Sequence, residues 1–316
     1  MENNNLIKIL EDNGYKYIYD ENHSNYSMAV GIGDILFMLV NLQQYLISSP
    51  IYINLDIFIT GLIRDNFESE TKILFDNLYN NFIFRIKMLN DIIDNNNKIK
   101  KNDIIFFTTK FNSAINSKII INFNYRLIKN YSLELNASFF LYSFNEAISN
   151  FIKDPFIIIH TKLRLNNKYN YSQIKYNLKN FFSQIKINKF NILIMGERMM
   201  PVTYESNLHN ISTIYNEIKE LYNLNSNKIL DITKKEIYNN LDYENYKHDI
   251  CLINKAEYNI CFGQGGSLCS SLLLGKTIFF DPIDEEYFYK NENLYNSGHR
   301  YFKNLLPMLN FLIEIV

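Results

Sequence analysis

The apolar positions of this chain switch repeatedly between two periods. Gly14-Tyr15-Lys16-Tyr17-Ile18-Tyr19-Asp20 alternates with the two-residue period of a strand. A tight turn at Gly31 and Gly33 follows, and then Phe37, Leu39, Val40, Leu42 and Leu46 recur at helical steps, predicting a helix over about 34–47. Ile51–Ile57, bounded by Pro50, reads as the next strand. Residues 68–93 read as one long helix or two, with Ile73, Leu74, Leu78, Phe82, Ile86 and Leu89 on one side. Strands are predicted at Ile104–Phe107 and Ile119–Phe123, and a helix near Phe144–Ile152.

Past Lys153-Asp154-Pro155 the pattern becomes regular. Phe156–Thr161 is a buried strand, 171–186 a helix, Phe190–Met195 a strand and 206–222 a helix. Ile229–Ile232 is a short strand and Asp249–Asn254 a short helix. Tyr258–Phe262 is a strand, Leu268–Leu274 a compact helix and Thr277–Phe280 a last strand. Arg300–Val316 reads as a terminal helix, started or interrupted near Pro307. Strands separated by helices of this length predict an α/β fold with a parallel sheet and right-handed crossovers. The chain divides on this pattern into two αβ halves, 1–153 and 154–299, with 300–316 as a C-terminal helix.

Composition narrows the function classes. The 316 residues suit two domains of ordinary size, and 47% hydrophobic content is enough for two cores. Net charge is −1 from 32 basic and 33 acidic residues with the signs interspersed, so there is no electrostatic footprint for nucleic acid. Cys251, Cys261 and Cys269 are odd in number and lack CxxC spacing, which predicts buried thiols in a reducing compartment rather than disulfides or a zinc site. Met1–Asn5 does not open a signal peptide, and no apolar run reaches membrane-spanning length. The expectation is a soluble, cytoplasmic protein, with peripheral membrane contact left open.

The candidate chemistry gathers where strands end. Gly263-Gln264-Gly265-Gly266-Ser267 lies between a strand and a helix. Glycines there let backbone approach a ligand closely, and the free N–H groups of the helix start suit a phosphate or diphosphate. Its other reading is an ordinary β–α turn. His160-Thr161-Lys162-Leu163-Arg164 and Gly196-Glu197-Arg198 follow two other strands, and in a parallel sheet all three clusters share one edge. Lys162, Arg164 and Arg198 can form charge-assisted bonds to phosphate oxygens, or serve as solvated loop charges. Glu197 can accept from ribose hydroxyls, and His160 reads either as a hydrogen-bonded scaffold residue or as a contact to phosphate or sugar. His209, His248 and His299 show no metal spacing, Ser267 is not in a Gly-x-Ser-x-Gly elbow, and Gly31-x-Gly33 lacks the third glycine of a dinucleotide fingerprint.

Gly31-Ile32-Gly33-Asp34-Ile35-Leu36 resembles the N-terminal Gly-Asp-x-Leu turn of heptosyltransferase-like glycosyltransferases. Gly196-Glu197-Arg198 resembles the Gly…Glu-Arg that follows a donor-domain strand in that group. The family's Asp-Thr-Gly/Ser-x-x-His element is replaced here by Gly-Gln-Gly-Gly-Ser-Leu-Cys, without the histidine. The resemblance implies the GT-B architecture: two Rossmann-like domains facing across a cleft, with the C-terminal helix crossing back to the N-terminal one. It implies transfer of a sugar from a nucleotide diphosphate sugar to a hydroxyl of a glycan, lipid-linked or protein-linked acceptor, with inversion. Asp34 is then the general base, although an aspartate there also suits a helix N-cap. Gly265, Gly266, Ser267, Lys162, Arg164 and Arg198 hold the diphosphate, and Glu197 and His160 the nucleoside. No Asp-x-Asp triplet occurs, so neither metal nor a further cofactor is expected. A nucleotide-sugar epimerase of the same fold, and a non-catalytic scaffold that keeps the fold, are the alternatives.

Overall fold

Phe156-Ile157-Ile158-Ile159 is apolar on both faces, as a strand covered from both sides must be. It begins the central strand, β1 (Phe156–Arg164). The computed structural model describes residues 132–164, 171–185, 189–196, 208–222, 228–233, 243–262, 266–280 and 292–316, with 36, 40, 43, 91, 92 and 94–96. The chain divides into two compact units, one of residues 1–124 and 133–139, the other of 125–132 and 140–316.

In the second unit the other strands are β2 (Asn191–Met195), β3 (Leu208–Asn210), β4 (Ile229–Asp231), β5 (Tyr258–Phe262), β6 (Thr277–Phe280) and β7 (Arg300–Phe302). Six of them run parallel in the order β4-β2-β1-β5-β6-β7, and β3 pairs antiparallel with the far end of β1. The chain thus moves outward from β1 to β4, returns to the other side of β1, and moves outward again to β7. This is the doubly wound, Rossmann-like order, with its reversal between β1 and β5.

The helices are α1 (Glu146–Phe151), α2 (Tyr171–Gln184), α3 (Ile211–Tyr222), α4 (Tyr243–Lys255), α5 (Gly266–Leu274), α6 (Glu292–Asn296) and α7 (Leu305–Ile315). Side chains of a strand alternate between faces. Ile157, Ile159, Ile192, Ile194, Ile260 and Phe262 accordingly share one core with buried residues of α2, α3 and α7. The opposite face, under α4 and α5, carries His160, Asn191, Asn259, Cys261 and Thr277, all buried. One face is therefore aliphatic and aromatic throughout, whereas the other mixes these polar residues with Ile158, Leu193, Met195 and Phe279. The segment leading into α1 lies on α4, where Tyr142 and Phe144 meet the His248 ring edge-on at centroid distances of 5.4 and 5.1 Å.

Three predicted elements take a different form. The helix predicted over 206–222 starts only at Ile211, because Leu208–Asn210 pairs with Lys162–Arg164. That end of β1 extends past β2, whose last register partner is Met195 opposite His160, and its backbone groups need another strand. The helix predicted over 249–254 is longer, since the polar stretch from Tyr243 hides its first turns from a hydrophobic-period reading. Arg300–Val316 is not one helix: Arg300–Phe302 joins the sheet as β7, and α7 follows. Pro307 sits in the first turn of α7, where a missing N–H removes no intrahelical bond. The buried residues Leu305, Met308, Leu309 and Leu312 pack in the core with α2 and the sheet, inside the second unit. Lys153-Asp154-Pro155 forms the turn between α1 and β1 of that unit.

In the first unit Leu36, Val40 and Gln43 are helical and buried, within the helix predicted over 34–47, and the polar Gln43 shares their i, i+4, i+7 stripe. Gln43 Oε1 accepts from Asn96 Nδ2 at 2.9 Å and from the Glu134 backbone N–H at 2.8 Å. The predicted strands at 14–20, 51–57, 104–107 and 119–123 lie outside the described residues, as does most of 68–93. Among the described residues no helix is long and apolar enough to cross a membrane.

Candidate functional site

At the carboxyl edge of the sheet β1 changes its pairing. Ile159 is in register with Ile260 of β5, but the next pair is Leu163 with Phe262, so β1 bulges outward over 160–162. A bulge bends a strand and re-aims its side chains. On its other side β1 loses β2 after His160 and picks up β3 at Lys162. His160 is therefore the last residue of the regular sheet and the first of the bulge.

The His160 ring is 2% exposed, and its Nε2 lies 2.9 Å from the Oγ of Ser271, a wholly buried residue of α5. Ser271 Oγ also lies 3.7 Å from Cys261 Sγ, which donates its weak S–H to it. The imidazole tautomer sets which of Ser271 Oγ and Nε2 donates, and the remaining ring nitrogen is Nδ1. That nitrogen lies toward Asn259, whose amide orientation is fixed because Nδ2 donates to the Ile253 and Lys276 carbonyls at 3.0 and 3.2 Å. His160 Nδ1 and Asn259 Oδ1 close no hydrogen bond of standard geometry with each other or with other groups. Their mutual attraction is weak. Burial lowers the imidazole pKa from 6.5 to about 4, and Asn259 offsets only part of that. Burial likewise pushes the Cys261 thiol up to about 12, with Ser271 countering slightly. Histidine and thiol are both neutral at ordinary pH, and neither is an activated nucleophile.

Gly196 closes β2 with φ of 130°, and a Cβ there would lie 2.8 Å from Thr161 Oγ1. Conformation and space both require glycine, so the backbone leaving β2 passes directly over the bulge of β1. Across the reversal, α5 opens at Gly266, four residues after β5 ends at Phe262. Its amino end consequently stands at the same edge as the bulge. At the end of β4, Asp231 Oδ1 accepts from the Thr233 N–H at 2.9 Å and its hydroxyl at 2.6 Å, tying that turn to itself.

The predicted site residues fall into three groups. His160 is enclosed behind the edge, bonded to α5. Lys162 and Arg164 are strand residues of β1, held by β3; Gly266 and Ser267 form the start of α5, two residues before its predicted start. The side-chain placements of Lys162, Arg164 and Ser267 lie outside the description, as do Asp34, Glu197, Arg198 and Gly265 altogether. Sequence reasoning missed Asn259 and Ser271. The available signal was a polar residue inside an apolar run, in Tyr-Asn-Ile-Cys-Phe and in Leu-Cys-Ser-Ser-Leu.

A depression of about 500 Å³ beside β4, lined by Asn145, Glu146, Ala147, Ile148, Asn150 and Leu230, offers one carboxylate and no cation or nucleophile, so the chemistry is better sought at the carboxyl edge. Comparison with known protein families, curated proteins and solved structures gives no match to this chain.

Proposed function

We propose that the second unit binds the diphosphate of a nucleotide sugar at the carboxyl edge of its sheet, and that the chain is a glycosyltransferase acting on an acceptor hydroxyl. The observation that carries this reading is the reversal between β1 and β5, with α5 opening from β5 at that edge. At such a reversal the helices after neighbouring strands lie on opposite faces, leaving a crevice between their loops. Free N–H groups at a helix start, with the helix dipole behind them, attract an anion into it.

In this reading Gly265, Gly266 and Ser267 present amides to the diphosphate, and Lys162, Arg164 and Arg198 neutralise its charge. Glu197 accepts from the ribose hydroxyls. Asp34, from the first half in a GT-B arrangement, takes the acceptor proton. The acceptor oxygen then bonds to the anomeric carbon as the bond to the diphosphate breaks, with inversion and without a metal. His160 serves from behind the edge rather than at the nucleoside. An epimerase needs acid and base groups in the cleft, and among Asp34, Glu197 and His160 the last is enclosed and neutral. That favours the transferase.

The test is thermal unfolding against a panel of nucleoside diphosphates and nucleotide sugars, with and without EDTA. A ligand at a hundredfold excess over its Kd adds about 2.7 kcal/mol of apparent stability. Stabilisation by one nucleotide series, unaffected by EDTA, supports the reading and identifies the base. No response to any nucleotide removes it.

A further inference from the structure

The mixed face of the sheet, under α4 and α5, holds polar contacts that the apolar face does not. A helix packed only through Leu and Ile can slide, because dispersion contacts have little directionality. α5 presents Leu268, Leu272 and Leu273 to the interior, all buried. It is also tied at its far end, where Asn254 Nδ2 donates to the Leu274 carbonyl at 3.0 Å. The tie to β1 is the bond from Ser271 to His160 at 2.9 Å. It reaches β1 where the bulge begins, so it couples the placement of the helix to the shape of the strand edge.

Serine, histidine and asparagine in this order can activate a serine nucleophile. Ser271 is wholly buried, however, with Cys261 against it, so no substrate reaches the hydroxyl. The arrangement is suited to holding position. A hydrogen bond enclosed in low dielectric is strong, and cutting it on one side leaves a buried polar atom unsatisfied.

We infer that Ser271 and His160 are positioning residues that hold α5, through its second turn, against β1 where the bulge begins, and so set how tightly the unit holds a diphosphate at the start of that helix. This rests on the reading of that edge as a nucleotide site. Displacements of about an ångström are enough to weaken a preorganised site severalfold or more. The diphosphate is the part of the ligand that senses α5; the nucleoside is not.

Calorimetry with the four common nucleoside diphosphates and their parent nucleosides separates the possibilities. The wild type is compared with Ser271→Ala, His160→Leu, the double variant and His160→Gln, each first shown to be folded by circular dichroism. Removing one hydrogen bond of this kind predicts about five- to tenfold weaker diphosphate binding in each single variant. Nucleoside affinity stays within about twofold, and the double variant is no weaker than the singles, because both act through one bond. His160→Gln, whose amide oxygen can accept from Ser271, recovers most of the loss. Folded variants that bind diphosphates as the wild type does overturn the inference and leave the nucleotide site standing. Equal losses for nucleoside and diphosphate also overturn it, since they indicate a direct contact or a general loosening. A wild type that binds none of the nucleotides removes the site and the inference with it.

Discussion

His160 carries a proton in the unfolded chain at mildly acidic pH and refuses it in the folded one. Its folded pKa is lowered from 6.5 to about 4 by burial. Between those values the unfolded state binds more protons, so stability falls as pH falls. The contribution is fully present above pH 6.5 and is lost as the pH drops through about 4. The span between the two values corresponds to a loss on the order of 3 kcal/mol. Urea unfolding at pH 7 and pH 4.5 should show this slope in the wild type and a flatter one in His160→Leu. Equal slopes would mean that another group carries the acid sensitivity. Gly196 makes a second case at this scale. Gly196→Ala must hold an alanine at φ of 130° and press its Cβ on Thr161 Oγ1, a combination expected to cost roughly 2 kcal/mol or more. Adding Thr161→Ala should recover part of that loss, because it relieves the contact and leaves the dihedral strain. Full recovery would assign the whole cost to crowding.

At the level of elements, the helices follow a sharp division between buried and exposed positions. In α7, Leu309 is 1% exposed and packs in the core shared with α2, whereas Leu306 is 54% exposed. Leu309→Ala should therefore lower stability by about 2–5 kcal/mol through a cavity, and Leu306→Ala by less than about 0.5 kcal/mol. Melting temperatures of the two variants check this, and similar losses would mean that the helix packs on another face. What was legible in the sequence follows from the same division. β1, β2, β5 and β6 stand out because strands buried on both sides need unbroken apolar runs. β3 and β7 do not, since Leu-His-Asn and Arg-Tyr-Phe form no apolar run, and their pairing depends on a neighbour brought in by the rest of the fold. Ser271 and Asn259 were hidden for the opposite reason: each occupies an inward position that periodicity assigns to an apolar side chain.

For the whole molecule, alternation of strands and helices made a parallel α/β sheet readable, but the strand order was not. Neither the pairing of β1 with β5 nor the outer position of β4 leaves a trace in local sequence, because each joins residues far apart along the chain. The placement of Lys162 and Gly266 toward one edge could be anticipated only through the rule that parallel strands end on the same side. The second unit contains the described parts of that edge and an apolar core of its own. A chain of residues 125–316 should accordingly unfold cooperatively in urea and retain any stabilisation by nucleoside diphosphate seen in the full-length protein. A broad, non-cooperative transition would show that the sheet depends on the first unit. Cooperative unfolding without the ligand response would place part of the donor site outside 125–316.

The borders of the sheet have a consequence for how this protein behaves in a crowded solution. Among the described strands the outermost are β4 and β7, and each is only three residues long. A bare strand edge is a template on which another chain can add itself, and the hazard grows with its length and flatness. Here the long, strongly apolar strands lie in the middle, and β7 begins with the exposed charge of Arg300. A sheet built in this order is expected to offer little foothold for growth into fibres, because short edge strands and the Arg300 charge both work against added pairing.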